Sequence, residues 1–246
     1  MTVTDALLSP LRAGDAARPV LTFYDDATGE RVELSGLTFV NWVAKTANLL
    51  RDECDVEPGT TVALLLPAHW QTAAVLLGAW WCGARVVGGA DGADGVDGVD
   101  GVDVALADAA SLPAATGAGL VVGLSLDAFG RPLADLPGGA VDFATEVRVH
   151  GDHFAPGAPA PDDAPALGDA SVGEVVGVAR TRAADLGISA SDRVLSTLDW
   201  PVAASGGLVD GLLAVLAAGA SLVQVRHADP ARLDRKAESE RCTRAL

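Results

Sequence analysis

The chain has 246 residues, half of them hydrophobic, with 17 basic against 33 acidic side chains. A net charge of −16 repels nucleic-acid backbones and anionic lipid, so neither is an expected partner, and the charge is read as a solvated, solubilising face. Three cysteines, Cys54, Cys82 and Cys242, with no CxxC or Cys/His cluster, exclude a disulfide framework and a zinc site and fit a cytoplasmic location.

Met1–Pro10 has no basic patch ahead of an apolar core and is not read as a secretory signal. Leu21–Tyr24 and Arg31–Leu34 flank the polar turn Asp25-Asp-Ala-Thr-Gly29, the pattern of a β-hairpin. From Leu37 to Asp52 the residues Val40, Val43, Ala44, Ala47 and Leu50 recur at helical spacing, with Ser35 or Thr38 as N-cap. Glu57-Pro-Gly59 breaks the chain, and Thr61–Leu66 is an apolar run of strand length, as a buried parallel strand requires. A second helix, about His69–Cys82, leads through Gly83 into a short strand, Arg85–Val87. Its most apolar part, Thr72–Gly83, is uncharged for about 12 residues, short of the ~20 that cross a bilayer, so it reads as a buried helix with Trp80 and Trp81 in the core.

Residues 89–103 repeat with period three and carry Asp91, Asp94, Asp97, Asp100 and Asp103. The spacing matches no calcium-binding loop, and a mobile, solvated insert without metal is expected. Val104–Ala107 and Leu120–Leu124 look like further strands, with helical matter around Asp108–Thr116. Four prolines between Ala155 and Pro165 mark a linker. Ser171-Val-Gly-Glu174 is a capping-box pattern, and Val172, Val175, Val176, Ala179 and Ala183 mark the helix behind it. The expected division is a first α/β subdomain over 1–154, a linker over 155–170 and a second, smaller unit over 171–246.

This second helix–strand unit repeats the first. Val40 and Val172, Val43 and Val175, Ala47 and Ala179, and Val62 and Val194 stand at one spacing, 132 residues (194 − 62), without a gap. After a four-residue insertion the match resumes, with Gly83-Ala84 against Gly219-Ala220. Two right-handed α/β units with mainly parallel strands follow.

The string Gly59-Thr-Thr-Val-Ala-Leu-Leu-Leu-Pro67, with the apolar helix ending at Gly83-Ala84, is similar to a region of the adenylate-forming (AMP-binding) superfamily, which includes acyl-CoA synthetases. Ser191-Asp-Arg-Val-Leu-Ser-Thr-Leu198, followed by Leu212–Val225, resembles that superfamily's next segment. The two matches cover most of residues 20–230. The resemblance implies an α/β fold of two similar, mainly parallel-sheet subdomains, as in the superfamily's N-terminal part.

It also implies a Ser/Thr/Gly-rich phosphate loop followed by lysine between the two regions. The corresponding stretch here is Pro165–Ser171, with one glycine, an aspartate and no lysine, and the whole chain has only Lys45 and Lys236. The superfamily's aromatic-His element is replaced by Asp199-Trp-Pro201, and its adenine-binding and hinge segments and lysine-bearing C-terminal domain have no counterpart before Leu246. The expectation is a degenerate, non-catalytic homologue that binds a small molecule or a protein. The alternative is an acyl- or aryl-activating component that needs a second chain for ATP. ATP or AMP binding is implied by the resemblance but not by the motif, so no cofactor, metal ligand or catalytic residue is assigned.

Ligands in open α/β sheets sit outside the carboxyl ends of strands. His69, Trp70, Asp199 and Trp200 follow the equivalent strands of the two units and are the candidate ligand-binding residues. Asp25, Asp26 and Glu30 are assigned to the turn rather than to chemistry, His150 and His153 are too isolated for a metal site, and Ser205-Gly-Gly207 reads as a flexible helix start.

Overall fold

The computed structural model describes residues 1–89, 99–157, 161–202 and 206–246. Helix α1 (Val3–Ala13) opens on a capping box formed by Thr2 and Asp5. Strands β1 (Pro19–Asp25) and β2 (Glu30–Ser35) form the expected antiparallel hairpin. Helix α2 (Gly36–Glu53), capped by Ser35, strand β3 (Thr61–Leu65), helix α3 (Trp70–Cys82) and strand β4 (Arg85–Val87) complete the first unit. Strands β5 (Val104–Asp108), β6 (Leu120–Leu124) and β7 (Val141–Asp142) follow, then the short helix α4 (Phe143–Glu146). The expected helix near residues 108–116 is only a 3-10 turn, Leu112–Ala115, which Pro113 keeps short.

A second hairpin, β8 (Pro165–Leu167) and β9 (Ala170–Ser171), precedes α5 (Val172–Asp185) and β10 (Arg193–Ser196). Helix α6 (Gly206–Leu208) passes through a π-turn, Val209–Leu213, into α7 (Ala214–Ala217). Strand β11 (Ser221–Arg226), helix α8 (Pro230–Ser239) and strand β12 (Arg244–Ala245) end the chain. Helix α3 is buried on every side, which is why it carries no amphipathic stripe. Trp80 in it donates from Nε1 to the Ala166 carbonyl at 2.7 Å, and Trp81 donates to Asp5 at 2.9 Å.

Two sheets result, β7-β6-β5-β3-β4-β8-β9 and β12-β10-β11-β1-β2, parallel throughout except for the two hairpins. The α/β class and its two similar sheets are those expected from the sequence. Membership of the sheets does not follow chain order. The hairpin β1–β2, near the N-terminus, pairs with β11, while β8, in the stretch expected as linker, pairs with β4.

The repeat is deeper than its sequence signal. Thr61 pairs with Arg85 in the first unit and Arg193 with Ser221 in the second, at spacings of 132 (193 − 61) and 136 (221 − 85). Both hairpins carry the same irregularity, Pro19 opposite Ser35 then Leu21 opposite Leu34, and Pro165 opposite Ser171 then Leu167 opposite Ala170. The ungapped helix register was incomplete, however. Helix α2 has 18 residues and α5 has 14, so their serine caps stand 136 apart (171 − 35). Four residues are about one turn, which leaves the apolar faces in phase and hides the deletion from periodicity.

Asp91, Asp94 and Asp97 of the period-three tract lie outside the described residues. Its end does not form the expected mobile insert: Val99 and Val102 are buried in a small core with Ala63 and Ala105, and the Asp103 carboxylate accepts the Thr61 N–H at 2.7 Å. Valines at every third position supplied apolar area that the Gly/Asp composition masked.

Gly83 and Gly219 end the equivalent helices with φ of +85° and +70°. A Cβ at Gly83 would lie 3.2 Å from Pro58, and one at Gly219 would lie 2.8 Å from Pro10. Gly83→Ala and Gly219→Ala are each expected to destabilise the protein by about 1–2 kcal/mol, from left-handed strain and crowding, measurable by urea denaturation.

Candidate functional site

The carboxyl ends of β3 and β10 meet through Asp199, whose Oδ1 accepts the Ala68 N–H at 2.7 Å and the Trp200 N–H at 2.9 Å. Asp199 therefore clamps one strand end to the other. Trp200 is buried beside Gly211, and its indole N–H has no partner among the described residues. His69 is the N-cap of α3, and its Nδ1 accepts the Gln71 N–H at 3.2 Å. That bond requires a lone pair on Nδ1, so the neutral ring carries its proton on Nε2. Burial pushes the His69 pKa down, and Glu30, which favours the charged form, is outweighed. The Nε2 atom lies 3.7 Å from Glu30 Oε1, and both atoms are buried without a hydrogen-bond partner among the described residues. The Phe23 ring stands edge-on to the imidazole at 4.4 Å. Trp70 turns to a separate groove, with its ring 5.1 Å from that of Trp42.

A cleft of about 500 Å³ lies between the β1–β2 turn and α8, within the size range of small-ligand sites. None of the four candidate residues lines it; Glu30, opposite His69, does. Asp25 accepts the Ala27 N–H at 2.8 Å and faces His227 Nδ1 at 2.9 Å. Burial pushes its pKa up, but these partners prevail and hold it below the usual carboxylate range. Asp26 binds Lys236 Nζ at 2.6 Å and the Asp229 N–H at 2.9 Å, which in the same way outweigh its burial. Two of the three carboxylates thus have their hydrogen-bond partners within the fold. Glu30 on one wall and Arg235 on the other have no ion-pair partner at hydrogen-bond distance among the described residues. The cleft can hold a small molecule that presents an acceptor to Arg235 and a donor to Glu30.

Sequence reasoning assigned Asp25, Asp26 and Glu30 to the turn alone and did not foresee α8. Asp229, an N-cap that accepts the Ala231 N–H, followed by Pro230 was the available signal. Helix α8 buries no residue completely, and its apolar stripe is only the half-buried pair Leu233 and Ala237, too short a signal to announce it.

No protein-family model matches the chain. A curated Mycobacterium tuberculosis protein, the TIGR03089 family protein, is 51% identical over 245 residues, covering 100% of this chain and 98% of the relative. The chain belongs to the TIGR03089 family. Among solved structures it superposes on an acyl-CoA synthetase of Brucella canis with a TM-score of 0.78 at 17% identity, covering 100% of this chain and 47% of that one. A benzoate CoA ligase from Burkholderia xenovorans gives 0.73 at 17% identity, with 100% and 50% covered. The N-terminal domain of FACL13 from Mycobacterium tuberculosis gives 0.73 at 17% identity, with 100% and 62% covered. The chain spans about half the length of these structures, and the likeness establishes the fold: this TIGR03089 family member resembles the N-terminal region of AMP-binding, acyl-CoA synthetase-like enzymes. Among the described residues no helix is long and apolar enough to cross a membrane.

The stretch Pro165–Ser171, expected from the sequence resemblance to stand where the superfamily has its phosphate loop, folds as β8 and β9 joined by the two-residue turn Gly168-Asp169. The Gly168 N–H donates to the Val86 carbonyl at 2.8 Å. Arg85 approaches the turn, but its Nε donates to the Gly168 carbonyl at 2.8 Å and its Nη2 to Asp169 at 2.7 Å.

Glu240, just past α8, ties the cleft's outer wall to strands β1, β2 and β10 of one sheet. It accepts from the Tyr24 hydroxyl, from Arg31 Nη2 at 3.0 Å and from Arg193 Nη2 at 2.5 Å. Burial opposes its ionisation, yet the three donors bring its pKa from 4.5 down to about 2. A depressed folded-state pKa stabilises above the unfolded value and is lost as pH falls through the folded one. Glu240→Gln is therefore expected to cost about 3 kcal/mol at neutral pH. In urea titrations the gap to wild type should close between about pH 4.5 and about pH 2.

Proposed function

We propose that this protein is a non-adenylating homologue of the acyl-CoA ligase N-terminal region, which binds a small ligand or a protein partner. The carrying observation is the turn at Gly168-Asp169. A triphosphate needs backbone N–H groups and cations free to face it. Here the Gly168 N–H is engaged by Val86, Arg85 is engaged by Asp169 and the Gly168 carbonyl, and the Asp169 carboxylate is almost fully exposed. A phosphate oxygen brought to within 4 Å of that carboxylate would meet a repulsion of roughly 1–4 kcal/mol.

In this reading the charged cleft receives the ligand, with Arg235 and Glu30 as its contacts and His69 behind Glu30. Asp199 and Trp200 lie outside this cleft, where Asp199 holds the ends of β3 and β10 together. The cysteines Cys54, Cys82 and Cys242 are free, and burial pushes the Cys54 and Cys82 thiols up to about 12, which suits the reducing cytoplasm and makes them poor nucleophiles.

Acyl-dependent ATP–pyrophosphate exchange tests the proposal. The purified chain is expected to give no exchange above the enzyme-free control and no thermal shift with ATP. A ligand at 100 times its Kd adds about 2.7 kcal/mol, so binding would be visible. Robust exchange by the chain alone would sink the proposal, and exchange that appears only with cell extract would favour an activating component completed by a second chain.

A further inference from the structure

We propose that the charged cleft takes an ω-amino acid, a zwitterion whose ammonium group meets Glu30 and whose carboxylate meets Arg235. The inference rests on the reading of this cleft as a small-ligand site and names the chemistry of its ligand.

Its foundation is a pair of carboxylates that the first hairpin sets side by side. Asp25 and Glu30 are direct cross-strand partners in β1 and β2, so both side chains leave the same face of the sheet. Like charges in that position repel, and the fold provides for one of them: Asp25 has His227 Nδ1 and the Ala27 N–H as partners. Glu30 Oε1 has none among the described residues, although the Glu30 side chain is only 11% exposed. A carboxylate sunk this far from water without a donor is costly, and a positive charge brought to it offsets that cost.

The surrounding groups do not supply the charge. His69 stands behind Glu30, but its Nδ1 accepts the Gln71 N–H, so the ring stays neutral while this cap of α3 is intact. Arg226 is the register partner of Asp25 on β11, with β1 between it and Glu30. On the opposite wall Lys236 is held by Asp26 at 2.6 Å and Arg232 by Asp229 at 3.1 Å. Glu30 lines the cleft, which is therefore the side from which a cation reaches it. Among the described residues no three metal-ligating side chains gather to hold a metal ion. An organic ammonium group fits instead, because it brings three N–H donors with its charge.

The same wall fixes the other end of the ligand. With Lys236 and Arg232 engaged, Arg235 is the cleft cation left to receive a carboxylate. The lining carries three carboxylates, Asp25, Asp26 and Glu30, against three cations, so a zwitterion enters without unbalancing it. Glu30 and Arg235 belong to opposite walls of a cleft of about 500 Å³ and do not pair with each other. The ligand's two charges therefore stand at the ends of an aliphatic chain rather than on one carbon.

NMR titration of the full chain with 4-aminobutyrate and 5-aminovalerate tests the site, with glycine, pentylammonium and valerate as the short, amine-only and carboxylate-only probes. At least one ω-amino acid is expected to bind saturably and more tightly than all three. Glu30→Gln relieves the repulsion with Asp25 and so does not threaten folding; it should weaken the ω-amino acid and pentylammonium by about 10-fold and leave valerate no weaker. Arg235→Gln, a change at an exposed position, should weaken the ω-amino acid and valerate by about 5–10-fold and leave pentylammonium no weaker. Absence of saturable binding by either ω-amino acid up to about 10 mM would overturn the proposal, as would glycine binding equally well or binding that neither substitution alters. Any of these results leaves the non-adenylating reading to the exchange assay, and exchange by the chain alone would sink that reading while ω-amino acid binding stood.

Discussion

Each sheet of this protein is completed by a hairpin from the other half of the chain. The parallel pairings of β1 with β11 and of β8 with β4 are reciprocal, and without them both last strands of the repeated units would present open edges. The exchange also joins the interior. Phe23 and Leu21 from the first hairpin, Trp80 from α3 and Leu212 and Leu222 from the second unit belong to one continuous apolar core. Neither repeat is therefore a self-contained folding body in the native state.

The same exchange explains where the polar cleft stands. The first hairpin continues past the shared irregularity through Asp25 and Glu30, and this extra length carries its acidic turn across to α8, where Asp26 meets Lys236 and Asp25 meets His227. The second hairpin stops at Leu167 and Ala170, so its turn meets β4 at Arg85 and Val86. One scaffold thus produces a wide charged cleft at one hairpin and a closed tip at the other. Differences of this kind belong at loop ends, where length can change without disturbing the ladder beneath.

Much of the fold was legible in single residues. Ser35 and Ser171 announced helix starts, Gly83 and Gly219 announced their ends, and the apolar runs at 61–66 and 191–198 contained strands of the parallel sheets. Less was legible where apolar patterning is weak. Helix α8 has only Leu233 and Ala237 as a short apolar stripe, α4 is four residues long, and Val99 and Val102 lie in a tract whose composition suggests solvation. Of the candidate site residues, His69 and Asp199 are drawn to the meeting of the two strand ends, Trp200 is packed inside, and Trp70 faces the aromatic groove. Adjacent residues at the start of a helix point in different directions, which chain position alone cannot resolve.

By itself the sequence determined the α/β class, the internal repeat and the unusual makeup of residues 165–171, because periodicity, caps and charge are local properties of the chain. Only the tertiary structure decided which sheet each hairpin joins, and with it that Glu30 faces His69 and that Arg85 is held by Asp169. The physical reason is that strand partnership depends on long-range hydrogen bonds and shared burial, neither of which leaves a mark at fixed spacing along the chain.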